Sequence, residues 1–230
     1  MNGAMPGRPS AGVAGVTAVR ELPTPVSVSV ICPTYNRHNR HEGLYTAFQT
    51  QNHPDKDLWI LDDSPQPSPF FRDKVGTKDP RVHYIHQSDR LTIGAKRNQL
   101  IALSAGSVLA HFDDDDWYDP SYLATMVQAL VDSDADFIKC SVWQERREKD
   151  NHRRTMDVRQ NRHANLWGYG FSYMYRRFAA THASFPHTNS GEDYVFLQSL
   201  RSAGLNAQLA DHCAHLVEHV LHGHNTSRKD

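Results

Sequence analysis

The sequence predicts an α/β protein, a mostly parallel sheet flanked by helices, with a smaller irregular region on one side. Short apolar runs alternate repeatedly with stretches of helical spacing, as chains built from crossover units do. The residues able to do chemistry fall where those runs end, and open α/β sheets bind ligands beyond the carboxyl ends of their strands. The chain of 230 residues, 39% hydrophobic, suits one domain with a full core.

Val26, Val28 and Val30 alternate with Ser27 and Ser29 ahead of Ile31 and Cys32, so the first strand reads from residue 26 and should stop at Pro33. Leu44, Ala47 and Phe48 carry helical spacing, and Leu58 to Leu61 gives a second strand stopped by Asp62 and Asp63. Val82 to Ile85 is the third strand. Ile93 to Ala105 is a helix, with Gly106 as its stop. Val108 to Phe112 forms the fourth strand. A helix with Leu123, Met126, Val127 and Leu130 on one face then begins after Asp119, with Pro120 at its first position. Phe137 to Ser141 is the fifth strand.

Beyond it the charged stretch from Arg146 to Arg162 and the aromatic run from Leu166 to Arg177 predict bent strands or an open flap. A helix from about Gly191 to Ala203, stopped by Gly204, precedes a strand over Ala207 to Ala210. His212, His215, His219, His222 and His224 crowd the tail. His215 and His219 have helical i,i+4 spacing, but the neighbouring valines suit a strand equally well.

A formal net charge of -1 and a pI near 6.9 leave no basic field for nucleic acid or an anionic membrane surface. Cys32, Cys140 and Cys213 lie far apart, as in a reduced cytoplasmic protein without disulfides. Residues 1 to 25, rich in Gly, Ala and Pro, read as a flexible leader with neither a signal-peptide core nor a transmembrane segment.

The four consecutive carboxylates Asp113 to Asp116, at the end of the fourth strand, are the most informative feature of the chain. Adjacent like charges repel, and a hard divalent cation offsets them, so the run predicts a site for Mg²⁺ or Mn²⁺ bridging a substrate diphosphate. Glu192 and Asp193 open the Gly191 to Ala203 helix. Asp193 shares a face with Leu197 and Leu200 and should turn inward, with Glu192 pointing elsewhere; Ser190, three residues earlier, also suits a reciprocal helix cap.

The segment HFDDDDWYDP resembles the Asp-x-Asp region of nucleotide-sugar-dependent glycosyltransferases of GT-A type, family two. VSVSVICPTYNR, LWILDDSPQ, GAKRNQLIALSAGSVLAHFDDDDW and SGEDYVFLQSLRSAG resemble that family's other blocks in their order, over roughly residues 26 to 205. The resemblance implies a GT-A domain over 26–230, with a nucleotide-binding half (26–118) and an acceptor-binding half (119–230). It also implies an inverting transfer from a nucleotide-diphosphate sugar, UDP being the family's commonest carrier, to a hydroxyl on a glycan, lipid, peptide or small metabolite.

By position it sets Pro33 and Tyr35 beside the base, Asp63 on the base's ring nitrogen and Arg97 near base or phosphate. Asp113 and Asp114 would approach ribose or metal, and Asp115 would be the main metal ligand whichever register the family's two-carboxylate pattern takes within the run. Asp193 would be the general base and Glu192 its orienting neighbour. LHGHNTS resembles a segment whose histidine reaches metal or diphosphate, which fits His222, with His224 second. The aromatics from Trp167 to Tyr175 would form an acceptor wall or, equally, core strand. A metal-dependent phosphohydrolase and a non-catalytic nucleotide-binding protein are the alternative readings.

Overall fold

The computed structural model describes residues 20–75, 78–160 and 165–223. Eleven strands are seen among them: β1 (Val28–Thr34), β2 (Lys56–Asp62), β3 (Val82–His86), β4 (Val108–His111), β5 (Trp117–Tyr118), β6 (Phe137–Cys140), β7 (Val142–Arg147), β8 (His152–Asp157), β9 (Met174–Arg176), β10 (Ala207–Ala210) and β11 (Val217–Leu221). The helices are α1 (His41–Gln49), α2 (Ile93–Leu103), α3 (Tyr122–Asp132) and α4 (Glu192–Ser202).

Seven strands form the central sheet in the order β10-β6-β9-β4-β1-β2-β3. All its pairings are parallel except those of β9, which runs antiparallel between β4 and β6. Strand alternation divides the apolar residues between the two faces. Val28, Val30, Leu58 and Ala110 pack with Leu44 and Phe48 of α1 and with Leu123, Met126 and Leu130 of α3. Ile31, Leu61, Leu109 and Phe137 pack with Leu100 of α2 and with Phe196, Leu197 and Leu200 of α4. A second sheet, β5-β11-β7-β8, stands beyond the ends of β4 and β6.

The first strand does not stop at Pro33 but runs to Thr34. β4 pairs with β1 only as far as Ile31, so proline's missing N–H deprives β4 of nothing there. Gly106 does not stop α2, which ends at Leu103 with Ser104 as its cap. A Cβ on Gly106 would stand 2.5 Å from the Ser29 nitrogen, so it is close approach to β1 that requires glycine. Asp119 likewise closes a turn, taking the Ser121 N–H at 2.8 Å, and α3 begins only at Tyr122.

Within the charged stretch, residues up to Asp157 belong to the β7-β8 hairpin, in which Glu145 pairs with Arg154 across the strands and Glu218 of β11 takes Arg146 and Arg153. The segment Val217–Leu221 is a strand, so His215 and His219 share no helix face. Phe171, Tyr173 and Tyr175 are core residues, which leaves Tyr169 and part of Trp167 as the accessible aromatics of that run. Among the described residues, no helix is long and apolar enough to cross a membrane.

Candidate active site

The acidic turn is anchored where β4 leaves the sheet, with the Phe112 N–H bonded to Ile31 O at 3.1 Å. Its four carboxylates then diverge to different partners. Asp113 is the least enclosed; its backbone N–H donates to the Tyr118 hydroxyl at 2.9 Å, and that hydroxyl donates to Phe171 O. Asp114 accepts from the Thr34 hydroxyl and, at 2.8 Å, from Arg37. Asp115 accepts from Arg37 as well and lies 2.7 Å from His222 Nε2. Asp116 is held by His219 Nδ1 at 2.9 Å and by the Val220 N–H.

Such crowding has the electrostatic consequence expected of like charges out of water. Burial, and then Asp116, push Asp113 up to about 7; burial, and then Asp115, push Asp114 up to about 6. At Asp115 burial opposes ionisation, yet the His222 hydrogen bond and the Arg37 charge outweigh it and hold the carboxyl below its ordinary value. His219 is raised to about 9, because its contact with Asp116 overcomes the burial that would lower it. Asp113, Asp115 and Asp116 each present an oxygen, all within 4.8 Å of one another. An all-oxygen, net negative donor set of this kind suits Mg²⁺ or Mn²⁺.

At the end of β1 lie Pro33 and Tyr35, where the Arg90 guanidinium stands 3.4 Å from the centroid of the Tyr35 ring. Arg90 also binds both oxygens of Asp63, whose remaining partners are Lys96 at 2.8 Å and the Leu91 N–H at 2.7 Å. Burial opposes ionisation of Asp63, and these bonds, Lys96 foremost, hold it below its ordinary value. Asp63 itself is not part of the cleft wall, which Arg90 and Lys96 line in its place.

On the opposite wall, Glu192 and Asp193 open α4 behind Gly191, whose φ of +74° favours glycine. No side-chain cap forms there: Ser190 is not the cap, and the two Asp193 oxygens accept backbone N–H groups from Gly170 at 2.9 Å and Tyr194 at 2.7 Å. Nor does Glu192 turn away. It is the more buried of the pair and takes Arg97 Nη1 at 2.6 Å, while Arg97 Nη2 reaches to 3.9 Å from Asp113. Arg97 thus joins the acidic turn to the start of α4.

These elements enclose one cleft of about 810 Å³, in whose wall Tyr35, Arg37, Asp115, Tyr169, Asp193 and His222 all appear. Thr34, Arg37, Arg90 and Lys96 were not singled out by sequence. Arg37 had a signal, since a run of four carboxylates demands cations and this one follows Tyr35 by two residues. His219 stands out in sequence only for its i,i+4 spacing with His215; in the fold it sits on β11 and holds Asp116 instead. His224 lies outside the described residues.

The family model described as Glycosyl transferase family 2 matches residues 29–192. A Bacillus subtilis (strain 168) protein named as a glycosyltransferase, EpsH, is 28% identical over 116 residues, which is 50% of this chain and 33% of that protein. Glycosyltransferase GlyA of Streptococcus pneumoniae is 26% identical over 110 residues, 47% of this chain and 16% of that one. The chain therefore spans a third or less of the length of these curated relatives.

Among solved structures, S. aureus TarS 1-349 in complex with UDP-GlcNAc matches with a TM-score of 0.70 at 14% identity, over 87% of this chain and 60% of that one. Mannosyltransferase PcManGT from Pyrobaculum calidifontis, in complex with GDP-Man and Mn²⁺, matches with a TM-score of 0.68 at 16% identity, over 87% and 59%. At such identity the likeness is one of fold, and the fold is GT-A.

Proposed function

The chain belongs to glycosyl transferase family 2, and on that footing we propose that it moves a sugar, with inversion, from a nucleotide-diphosphate sugar to an acceptor hydroxyl. What carries this reading is that the acidic turn and Asp193, nearly eighty positions apart in sequence, line one cleft roomy enough for such a donor. The solved relatives hold UDP-GlcNAc in one case and GDP-Man with Mn²⁺ in the other, which supports a donor of that class.

The donor's base and ribose would lie toward Pro33, Tyr35 and Arg90, on the side of the cleft where the Asp63 network fixes the wall. Asp115, with Asp113 and Asp116, would hold a divalent cation, which when bound stabilises charge on the departing diphosphate. Arg37 and His222 reach the same carboxylate turn and can follow the diphosphate's charge. Asp193 takes the acceptor hydroxyl proton. Each of its oxygens accepts one backbone N–H, which fixes the carboxylate's direction and leaves each oxygen further acceptor capacity where Asp193 lines the cleft. The acceptor oxygen then bonds to the anomeric carbon as the carbon-oxygen bond to the diphosphate breaks, releasing the nucleoside diphosphate. Glu192, buried against Arg97, orients the helix start beneath Asp193.

Asp193→Asn tests the assignment. It keeps the shape of the side chain and should leave nucleotide binding, measured by calorimetry with UDP or GDP and Mn²⁺, within about threefold of wild type. Turnover should fall roughly a thousandfold or more. Wild-type transfer by this variant would remove Asp193 from the reaction. Release of inorganic phosphate independent of any acceptor would point to a phosphohydrolase instead.

A further inference from the structure

Lys139 is a fully buried lysine that the proposed reaction does not use. It lies on β6, is 0% exposed, and shares the sheet face of Phe137. A core strand needs an apolar residue at such a position, because a buried ammonium is costly unless its donors are satisfied. Here a loop takes two of its three: Nζ donates to Leu166 O at 3.2 Å and to Gly168 O at 2.7 Å. The same nitrogen lies 5.4 Å from the Trp143 ring centroid and 5.3 Å from that of Tyr169, within cation-π range of both. Burial lowers its ammonium to about 8, so near neutrality the charged form is retained inside this cage.

The loop it holds is the one that touches Asp193. Between Gly168 and Gly170, Tyr169 adopts a left-handed φ of +68°, a conformation that costs a non-glycine residue energy and persists only where its surroundings impose it. Gly170 then presents its N–H to Asp193 Oδ2. The intervening carbonyls are claimed by further buried side chains, Trp167 O by the Tyr173 hydroxyl and Gly170 O by His111 Nδ1. A Cβ on Gly170 would stand 3.1 Å from the Asp193 Cβ and 3.2 Å from Arg97 Nη2, so the loop is pressed against the start of α4.

We infer that Lys139 is a positioning residue: by binding the carbonyls of Leu166 and Gly168 it fixes the strained Tyr169 turn, and through the Gly170 N–H it sets the direction of Asp193. This rests on the reading of Asp193 as base, and the test separates the two. In Lys139→Met, amide exchange of residues 165–171 should rise about tenfold while β4 and β6 keep their protection. Turnover, followed as UDP or GDP released from UDP-GlcNAc or GDP-Man with Mn²⁺, should fall about tenfold or more with nucleotide affinity unchanged.

Adding Lys139→Met to Asp193→Asn should cost nothing further, because the two act through one carboxylate. Unchanged loop exchange, or a loss fully additive with Asp193→Asn, overturns the inference. Normal turnover by Asp193→Asn alone overturns the base assignment instead, and the exchange measurement then decides by itself whether Lys139 fixes the loop. Should the methionine variant fail to fold, Lys139→Gln, a shorter side chain whose amide can still donate, carries the comparison as a partial rescue: loop exchange and turnover that change together, or are both restored to wild type, support the inference, and lowered turnover with wild-type loop exchange opposes it.

Discussion

A chain of single hydrogen bonds behind the acidic turn decides how one of its carboxylates is aimed. The Thr34 hydroxyl donates to Asp114, so its oxygen is left to accept from His41 Nε2 at 3.2 Å, and His41 Nδ1 in turn accepts from the Ser68 hydroxyl at 2.7 Å. This order of donors requires a neutral imidazole. Burial lowers the His41 pKa to about 4, against an ordinary value of 6.5, so protonating it opposes the folded state. The unfolded chain therefore binds this proton first as the pH falls: His41 costs nothing above about 6.5, and its penalty grows as the pH drops toward 4, reaching about 3 kcal/mol. In urea titrations at pH 7, 5.5 and 4, the stability of wild type minus that of His41→Asn should decline by this order. Because Asp113 and Asp114 titrate with the opposite sign in the same range, only that difference isolates His41. A difference independent of pH would show that His41 is not held neutral.

Elements place the two walls of the cleft, and α2 is the element common to both. Its first turn carries Lys96 toward Asp63 and Arg97 toward Glu192, and its outer face is stitched to the segment before α4 by Asn98, which exchanges two hydrogen bonds with Phe185, and by the Gly94 N–H on Thr188 O. Gly94 permits that approach. A Cβ there would stand 1.9 Å from Pro186 O, a backbone atom with no freedom to turn aside. Gly94→Ala should destabilise the protein by about 3 kcal/mol in chemical denaturation, and the survivors should turn over more slowly because the segment leading to Asp193 has moved; a change under about 0.5 kcal/mol would contradict the packing described. The elements themselves were legible in sequence. β2, β3 and α4 lie within two residues of expectation, and β10 coincides with it, because each has a period and a stop signal. Pro33 and Gly106 misled for a common reason: each was read as punctuation of its own element, whereas its role is set by which neighbouring strand lies beside it. Glu192 was misplaced similarly, since helical spacing gives the face of α4 but not that Arg97 waits beneath its first turn.

At the scale of the whole molecule the cleft is a meeting place rather than a motif. Its wall draws on the loop after β1, the start of α2, the acidic turn, the loop before β9 and the start of α4, with His219 from β11 and His222 just beyond that strand's end. Sequence singled out the acidic residues that the fold gathers at one cleft, Asp113 to Asp116 and Asp193 among them, but not the counter-charges Arg37 and Arg90, because pairing across such separations is a property of topology and leaves no local spacing to read. The same topology predicts how ligands act on stability. A nucleotide bridging the β1 loop and the acidic turn, as proposed, would bind only when the central sheet is assembled, so it would stabilise the folded chain as a unit, by about 2.7 kcal/mol at a hundred times its dissociation constant. For a domain of this size each kcal/mol raises the melting midpoint by roughly 2–4 °C, so UDP or GDP at such saturation should raise it by roughly 5–10 °C. The carboxylates compete with diphosphate oxygens unless a cation stands between them, so the nucleotide alone should give a much smaller shift than nucleotide with Mn²⁺, and Asp115→Asn should abolish the difference. Equal shifts with and without Mn²⁺ would mean that nucleotide binds without the acidic turn, and the arrangement of donor and cation argued for this cleft would be wrong.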